Sequence, residues 1–535
     1  VDINPVIVSP EGVTAVDARI ILAEPGRNEK PRTAPPRASL DVPPRERFAP
    51  LFAPHTVAVV GASSSDVTIA NTFIRRLADF GFAGHIYPIH PKAAEIEELP
   101  AYPSLAETPE PVDYAYIAIG ATRIPDLLAA AAGRVRFAQV ISSGFGEVSE
   151  GRELEVRLVE AARAGGCRLI GPNCLGLYSP RGGVTFPVGA PKELGPVGII
   201  SQSGGLGTDI IKRGQWRGLR FSGLVTIGNS ADLGPVDLAE FFFDDPETRV
   251  IGLYLEDIKD GRRFFDLLRS PAASKPVVIL RGGRSRQGRI AAASHTGALA
   301  GDHRAWDALA KQTGCATVAT VDEFLDVLHL LQFRALRTER PTRSVALFGN
   351  GGGTSVLAAD GFAELGLDIS PFPQEVRAAL EALALPPGTS VANPIDAPVR
   401  TLQQEEGRVA NTILDIVYRM ADPDAVVMHL NLAAFVGRGD IDPVDNLIQA
   451  AVDLQAAYPA QAHFLLVLRT DGSPELEERR RAYRERALAV GIPVFDEVAN
   501  AARALAAIGT LERRFRDRAD LESDGAEGVE PQRRG

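Results

Sequence analysis

The sequence predicts an α/β protein: a Rossmann-like domain followed by two flavodoxin-like domains, each a parallel sheet covered by helices. Three observations predict it. Short apolar strands alternate with helical periods from Thr56 onward, the pattern of sheets buried on both faces. Strand, glycine turn and helix follow one another at Gly61, at Ser203-Gly204-Gly205 and at Gly351-Gly352-Gly353. The second and third of these begin two segments that repeat each other.

Residues 1–24 read as a β-hairpin, with Val6-Ile7-Val8, a turn at Ser9-Pro10-Glu11-Gly12, and Val13 to Leu22. A lone hairpin is marginal in water, so it needs a partner sheet. Residues 25–47, with Pro-Pro at 35–36 and 43–44, read as an extended linker. The Rossmann-like domain spans 48–184, with strands at Val57 to Val60, His85 to Ile89, Tyr114 to Ile119 and Gln139 to Gly144. The flavodoxin-like domains span 185–336 and 342–511: Pro196 to Gly205 matches Ser344 to Gly353, and Val250 to Leu255 answers Ala425 to Leu430. Pro276 to Leu280 answers Phe464 to Leu468, and each copy closes on a helix opened by Asp-Glu, at 322–323 and 496–497. The charged tail 512–535 lacks apolar periodicity and reads as disordered.

A chain of 535 residues holds three or four domains. Its net charge of −11 excludes a broad nucleic-acid footprint, which needs a basic face. The three cysteines (Cys167, Cys174, Cys315) lack metal-ligand spacing, which points to a reducing cytoplasm without a disulfide framework. No apolar run reaches membrane-span length and no signal peptide opens the chain. The first residue is Val1, already within a strand pattern, so a piece of a longer protein is expected.

Chemistry concentrates in Ser294-His295-Thr296-Gly297-Ala298-Leu299-Ala300-Gly301, which sets one histidine among small residues. It follows the strand Lys275 to Leu280 and a basic segment, Arg281 to Arg289, with four arginines and three glycines, read as a flexible loop. A neutral imidazole there can take and return a phosphoryl group near pH 7; local hydrogen bonding by a surface histidine is the plainer alternative. Ser203, Gly204 and Gly205, like Gly351, Gly352 and Gly353, sit where free amides and the helix dipole favour a phosphate. Both are thus candidate phosphate-binding ends aimed at one phosphohistidine. Glu256 ends an apolar strand, where ligand sites of open α/β sheets gather, and could fix the imidazole's tautomer, or simply be solvated. Gly61, Ala62, Ser63, Ser64 and Ser65 could meet a phosphate, or form only a tight turn. No acidic residue follows the second strand; Lys92 does, which suits a phosphorylated ribose better than a free 2′-hydroxyl. Cys174, in Gly171-Pro172-Asn173-Cys174-Leu175-Gly176, is read as part of a structural turn and not as a nucleophile.

Together these motifs resemble the NDP-forming acyl-CoA synthetases, the superfamily of succinyl-CoA synthetase and ADP-forming acetyl-CoA synthetase, over about residues 48–511. The histidine motif, the Gly171–Gly176 turn, both glycine helix starts and Asn393 to Asp396 occur in the family's order. The resemblance implies a CoA-binding Rossmann-like domain and two succinyl-CoA-synthetase-type flavodoxin-like domains. It implies His295 as the phosphorylated histidine, Glu256 as its stabilising carboxylate, and CoA held by Gly61 to Ser65, Lys92, Ile141, Ser142 and Ser143. The acid is expected near Ser142, Ser143, Asn173 and Asn229; no arginine clamp announces a dicarboxylate. Asp2 to Pro5 and Val16 to Arg19 look like the closing strands of an ATP-grasp domain, in which Asn4 and Asp17 would bind the magnesium of ATP/ADP. The rest of that domain is expected upstream or in another subunit, within an oligomer. The implied activity is an acid–thiol ligase making acyl-CoA from a carboxylic acid, CoA and ATP through an acyl phosphate and a phosphohistidine. Two alternatives stand beside it: an NAD(P)-dependent oxidoreductase, which would bind NADP and not CoA, and a non-catalytic CoA-binding module, which would not be phosphorylated.

Overall fold

The computed structural model describes residues 2–3, 6–9, 12–15, 18–19, 42–296, 303–435 and 443–527, with the side chains of 2–19, 293–296, 303 and 519–527 outside the description. Two units divide it at Pro43. In the first, Val6–Ser9 pairs antiparallel with Gly12–Ala15, and Asp2–Ile3 with Ala18–Arg19.

The second unit opens on the helix Pro44–Phe52, where the linker had been expected to run on to residue 47. Pro44 presets φ at the helix start. Phe48, Leu51 and Phe52 then form an i, i+3, i+4 stripe that is fully buried, with Phe52 stacked on Phe241 at 3.9 Å.

Three parallel sheets follow with one winding. In the first, the order is Arg168–Ile170, Val135–Val140, Val112–Ile117, Thr56–Val60, His85–Ile89. The second runs Phe221–Thr226, Leu194–Ser201, Val250–Leu255, Val277–Arg281, Ala316–Val318. In the third, Ile395–Asp396, Val345–Gly349, Ala425–Asn431, His463–Arg469 and Val494–Phe495 take the same relative order. Each first strand lies between the second and third, the doubly wound arrangement whose crevice at the strands' carboxyl ends binds ligands. Leu177–Tyr178 joins the second sheet antiparallel to Phe221–Thr226, so the chain crosses between sheets before residue 184.

The second and third sheets share an apolar core, in which the helix Val321–Phe333 packs against the helix Val498–Glu527. Their Asp-Glu starts hold arginines: Asp322 pairs with Arg213 and Arg217, and Asp496 with Arg480 and Arg484. The last helix corrects the expectation of a disordered tail from Glu512, since it continues to Glu527. Glu512 is fully buried and accepts from the Arg337 and Thr342 amides at 2.9 and 2.6 Å while lying 2.8 Å from His463 Nε2. Arg514 and Arg518 then donate to carbonyls of Ala310, Cys315, Ala273 and Ser270. A charged segment lacking apolar period is thereby held by buried and carbonyl-directed polar bonds, which periodicity cannot register. Among the described residues no helix is long and apolar enough to cross a membrane.

Candidate functional site

The strand Thr56–Val60 ends at Gly61, whose φ is +105°. A Cβ there would lie 2.3 Å from the Ala118 carbonyl oxygen, so only glycine lets the two strand ends approach this closely. The loop after it is shaped from within. Ser63 Oγ accepts from the Ser65 and Asp66 amides at 3.2 Å, and Asn71 Oδ1 accepts from the Ser63 amide at 2.9 Å. The helix starts only at Ile69, capped by Thr68. Ala62 is buried beneath while Ser64 and Ser65 face outward. Lys92 follows the neighbouring strand and is exposed. Ile141, Ser142 and Ser143 follow Val135–Val140; Ser142 Oγ donates to Ile119 O at 2.5 Å, and Ser143 is exposed. All the expected CoA residues thus stand on one carboxyl-end edge.

The equivalent edge of the second sheet gathers the phosphate-directed residues. Ser203 caps the helix Gly204–Trp216, its Oγ accepting from the Leu206 amide at 3.2 Å. A Cβ on Gly204 would lie 2.5 Å from Leu175 of the Gly171–Gly176 turn, whereas nothing lies within 4 Å of one on Gly205. Glu256 follows Val250–Leu255 and accepts from the Tyr254 hydroxyl at 2.9 Å. Burial, together with this carboxylate, holds the Tyr254 hydroxyl well above its ordinary pKa, so it stays a donor. Gln202, which sequence reasoning passed over, holds the Glu256 turn. Its Oε1 accepts from the Glu256 and Asp257 amides, and its Nε2 donates to Asp257 O at 3.1 Å and Oδ1 at 2.7 Å. Its signal was its place, directly before Ser203 in the motif.

The stem of the histidine segment reaches the same point. Gly282 donates to Leu255 O at 2.9 Å, and a Cβ on it would be 3.0 Å from Glu256 Cγ. Beyond the stem the structure departs from the expected loop: Arg286–Thr296 is a helix that includes His295. Ala291-Ala292-Ala293, all strong helix formers, explain why the glycines do not keep it open. Arg281 is buried, its guanidinium 5.2 Å from the Trp306 ring centroid, and does not lie in a flexible loop. The His295 side chain, residues 297–302, Asn4 and Asp17 lie outside the described residues.

Where the first two sheets meet, Asn173 (φ +58°) donates to Asn229 Oδ1 at 3.4 Å, and its amide bonds Ser142 O at 3.0 Å. Asn229 is buried and donates to Glu147 Oε2 at 2.6 Å and Glu155 Oε2 at 2.9 Å. Lys259 donates to Asn229 O at 2.5 Å. Burial pushes the Glu147 carboxyl up, but bonds from Asn229 and from the Gly144 and Phe145 amides outweigh it and hold the group ionised. Glu147, Glu155 and Lys259 were not anticipated, because single charged loop residues carry no periodic signal. Asp232 bonds Arg163, Arg168 and the Leu169 amide, pinning the 228–232 loop to the first sheet.

The third sheet supplies the second glycine helix start, Gly352–Glu364, with Gly351 at φ +110° and all three glycines exposed. Its first amide is engaged internally: Gly351 donates to Asp396 Oδ1 at 2.9 Å. Burial pushes the Asp396 carboxyl up although this amide opposes it. A side-chain carboxyl is therefore already seated at this helix start, unlike the one after Ser203. Among the described residues no hydrogen bond joins the two glycine ends. Cys174 is fully buried and its thiol is pushed up to about 12 by burial, which makes it inert as a nucleophile.

A glycine turn on the first sheet's edge and a serine-capped helix start beside a strand-end glutamate on the second define a doubly wound α/β protein with candidate ligand sites at its carboxyl-end edges. Residues 55–180 match the CoA binding domain family and 194–331 the succinyl-CoA ligase like flavodoxin domain family. The chain is 38% identical over 356 residues to the alpha subunit of acetate–CoA ligase (ADP-forming) I of Pyrococcus furiosus, covering 65% of this chain and 75% of that one. The isoform II alpha subunit is 32% identical over 462 residues, 85% and 96% of the two chains. Of acetate–CoA ligase (ADP-forming) I of Archaeoglobus fulgidus, 34% identical, the alignment covers 60%. The dinucleotide-forming acetyl-coenzyme A synthetase 1 of Ca. Korarchaeum cryptofilum, solved with phosphate and ADP, superposes at TM-score 0.75 with 30% identity, covering 88% of this chain and 98% of that one. The chain belongs to the ADP-forming acyl-CoA synthetase family.

Proposed function

We propose that this chain carries the CoA and phosphohistidine half of an ADP-forming acid–thiol ligase. The observation that supports it most is the convergence of the Ser203–Gly205 helix start, Glu256 and the Gly282 stem on one sheet edge. In this reading His295 accepts the γ-phosphoryl of ATP, the N–P bond forming as the bond to ADP breaks. The acid's carboxylate oxygen then takes the phosphoryl, giving an acyl phosphate. The CoA thiolate attacks its carbonyl carbon and expels inorganic phosphate. Glu256 fixes the imidazole's tautomer, and the amides after Ser203 receive the phosphoryl group. Gly61 to Ser65, Lys92 and Ile141 to Ser143 hold CoA; their common place at the carboxyl-end edge of the first sheet supports this.

The acid lies near Asn173 and Asn229 and is a small or medium monocarboxylate. Relatives in the family are named for acetate, trans-ferulate and 4-hydroxybutyrate, so the family scaffold serves acids of different size. An upstream segment or a partner subunit supplies the ATP-grasp walls, with Asn4 and Asp17 as magnesium ligands, in an oligomer working in the cytoplasm. Incubation with acyl-CoA and ³²P-phosphate should leave acid-labile label on the chain, absent from His295→Ala. Label persisting in that variant would refute the assignment, and tight NADP binding without CoA binding would favour an oxidoreductase. The chain alone should form no acyl-CoA from ATP.

A further inference from the structure

The amino-end edge of the first sheet carries a cluster that acyl transfer does not use. His55 immediately precedes the strand Thr56–Val60, and His85 opens the neighbouring parallel strand His85–Ile89. The register pairs Thr56 with His85, and the His85 amide donates to the His55 carbonyl at 2.9 Å. The two imidazoles therefore stand side by side, ring centroids 5.2 Å apart. Gly84 permits the approach, because a Cβ on it would lie 2.2 Å from the His55 carbonyl oxygen. His55 is fixed from its other side, its amide donating to Asp113 Oδ2 at 2.8 Å. Glu110 arrives from the turn before Val112–Ile117 and places Oε1 2.6 Å from His85 Nδ1. The same oxygen accepts from the Tyr87 hydroxyl at 2.7 Å. Tyr87 is two residues beyond His85, hence on the same face of the strand.

We propose that His55, His85 and Glu110 form a transition-metal site of the zinc class, with an open coordination position for water. One potential ligand atom from each lies within 4.8 Å of the others, and among the described residues this is the one such group of His, Cys, Asp and Glu side chains. Ligands about 2.0–2.2 Å from zinc stand about 3.3 Å apart, so the His85–Glu110 pair must open by under an ångström and the wider separations, up to 4.8 Å, draw in by an ångström or so. Both histidines are exposed and can turn without disturbing packing. Two imidazoles and a carboxylate suit Zn, Co, Ni or Cu and not Mg. The Tyr87 hydroxyl orients the carboxylate from behind, as outer partners do in metal centres. The five-residue strand Thr56–Val60 separates this edge from the Gly61 cradle by about 16 Å at 3.3 Å per residue. Bound metal therefore staples three strand beginnings and takes no part in acyl transfer.

The test uses the full chain stripped of metal and titrated with Co²⁺. One equivalent should produce the visible absorption of a low-symmetry four-coordinate site, displaced by Zn²⁺ and unaffected by a large excess of Mg²⁺. His55→Ala and His85→Ala should each remain folded by circular dichroism and lose the signal, while His295→Ala keeps it. Zn²⁺ should raise the melting temperature of the parent chain and leave that of His85→Ala unchanged. Absence of binding by the parent chain, a signal surviving in both histidine variants, or its loss in His295→Ala would each overturn the proposal.

Discussion

Replacing Gln202 by alanine should cripple phosphohistidine formation while leaving CoA binding intact. Gln202 is buried and spends its whole amide on the Glu256–Asp257 turn, accepting two backbone amides and donating twice to Asp257. Alanine strands the two N–H groups, at about 1–3 kcal/mol each when buried. The turn is only half-buried, so water takes over part of this. The stability loss then falls near the lower end, about 2–3 kcal/mol. The larger effect is geometric. Glu256 hangs on this turn, and a displacement of about 1 Å in a catalytic group costs on the order of a hundredfold in rate. The assay is the initial rate of acid-labile ³²P incorporation from acyl-CoA and phosphate, beside a urea melt and a CoA titration. The expected pattern is a labelling rate down about a hundredfold at unchanged CoA affinity, in protein that still melts cooperatively. Gln202→Glu should fall between, since it keeps the acceptor but sets a second carboxylate against Asp257. Wild-type labelling by folded Gln202→Ala would refute the view that this clamp positions Glu256.

Gly61→Ala should weaken CoA binding and cost about 1–3 kcal/mol in a urea melt, because the new Cβ meets Ala118 O at 2.3 Å and φ is +105°; unchanged affinity would contradict the glycine-only cradle. Glu512 makes stability pH-dependent: burial raises its carboxyl, but His463 and the Thr342 and Arg337 amides outweigh this and hold it below the ordinary 4.5. A depressed folded value means the contribution is complete above about 4.5 and is lost as pH falls toward the lower value. Glu512→Gln should therefore destabilise the chain at neutral pH, by about 1–3 kcal/mol in a urea melt for the weakened buried hydrogen bonds, and flatten the acid side of the profile. Superimposable profiles would refute this. Cys174, with its thiol at about 12, should resist alkylation at neutral pH until the chain unfolds; stoichiometric labelling of native protein would show the turn to be open.

The sequence by itself determined the elements that repeat or punctuate. Val57 to Val60, Ile199 to Ser201 and Val345 to Gly349 announce buried strands by unbroken apolar runs, and the glycines after them mark where helices begin, because period and backbone freedom are local properties. That made the α/β class and the residues along the carboxyl-end sheet edges legible. Only the tertiary structure decided what those residues meet. The seating of Asp396 on the Gly351 amide, the hold of Gln202 on Glu256 and the Glu147–Asn229–Glu155 cluster each join positions 45 to 82 residues apart, and no local pattern encodes such a pairing. The same limit explains the helix through His295 and the helix beyond Glu512. Glycine and charge spoke for loops there, while alanine propensity in one case and long-range polar bonds in the other prevailed.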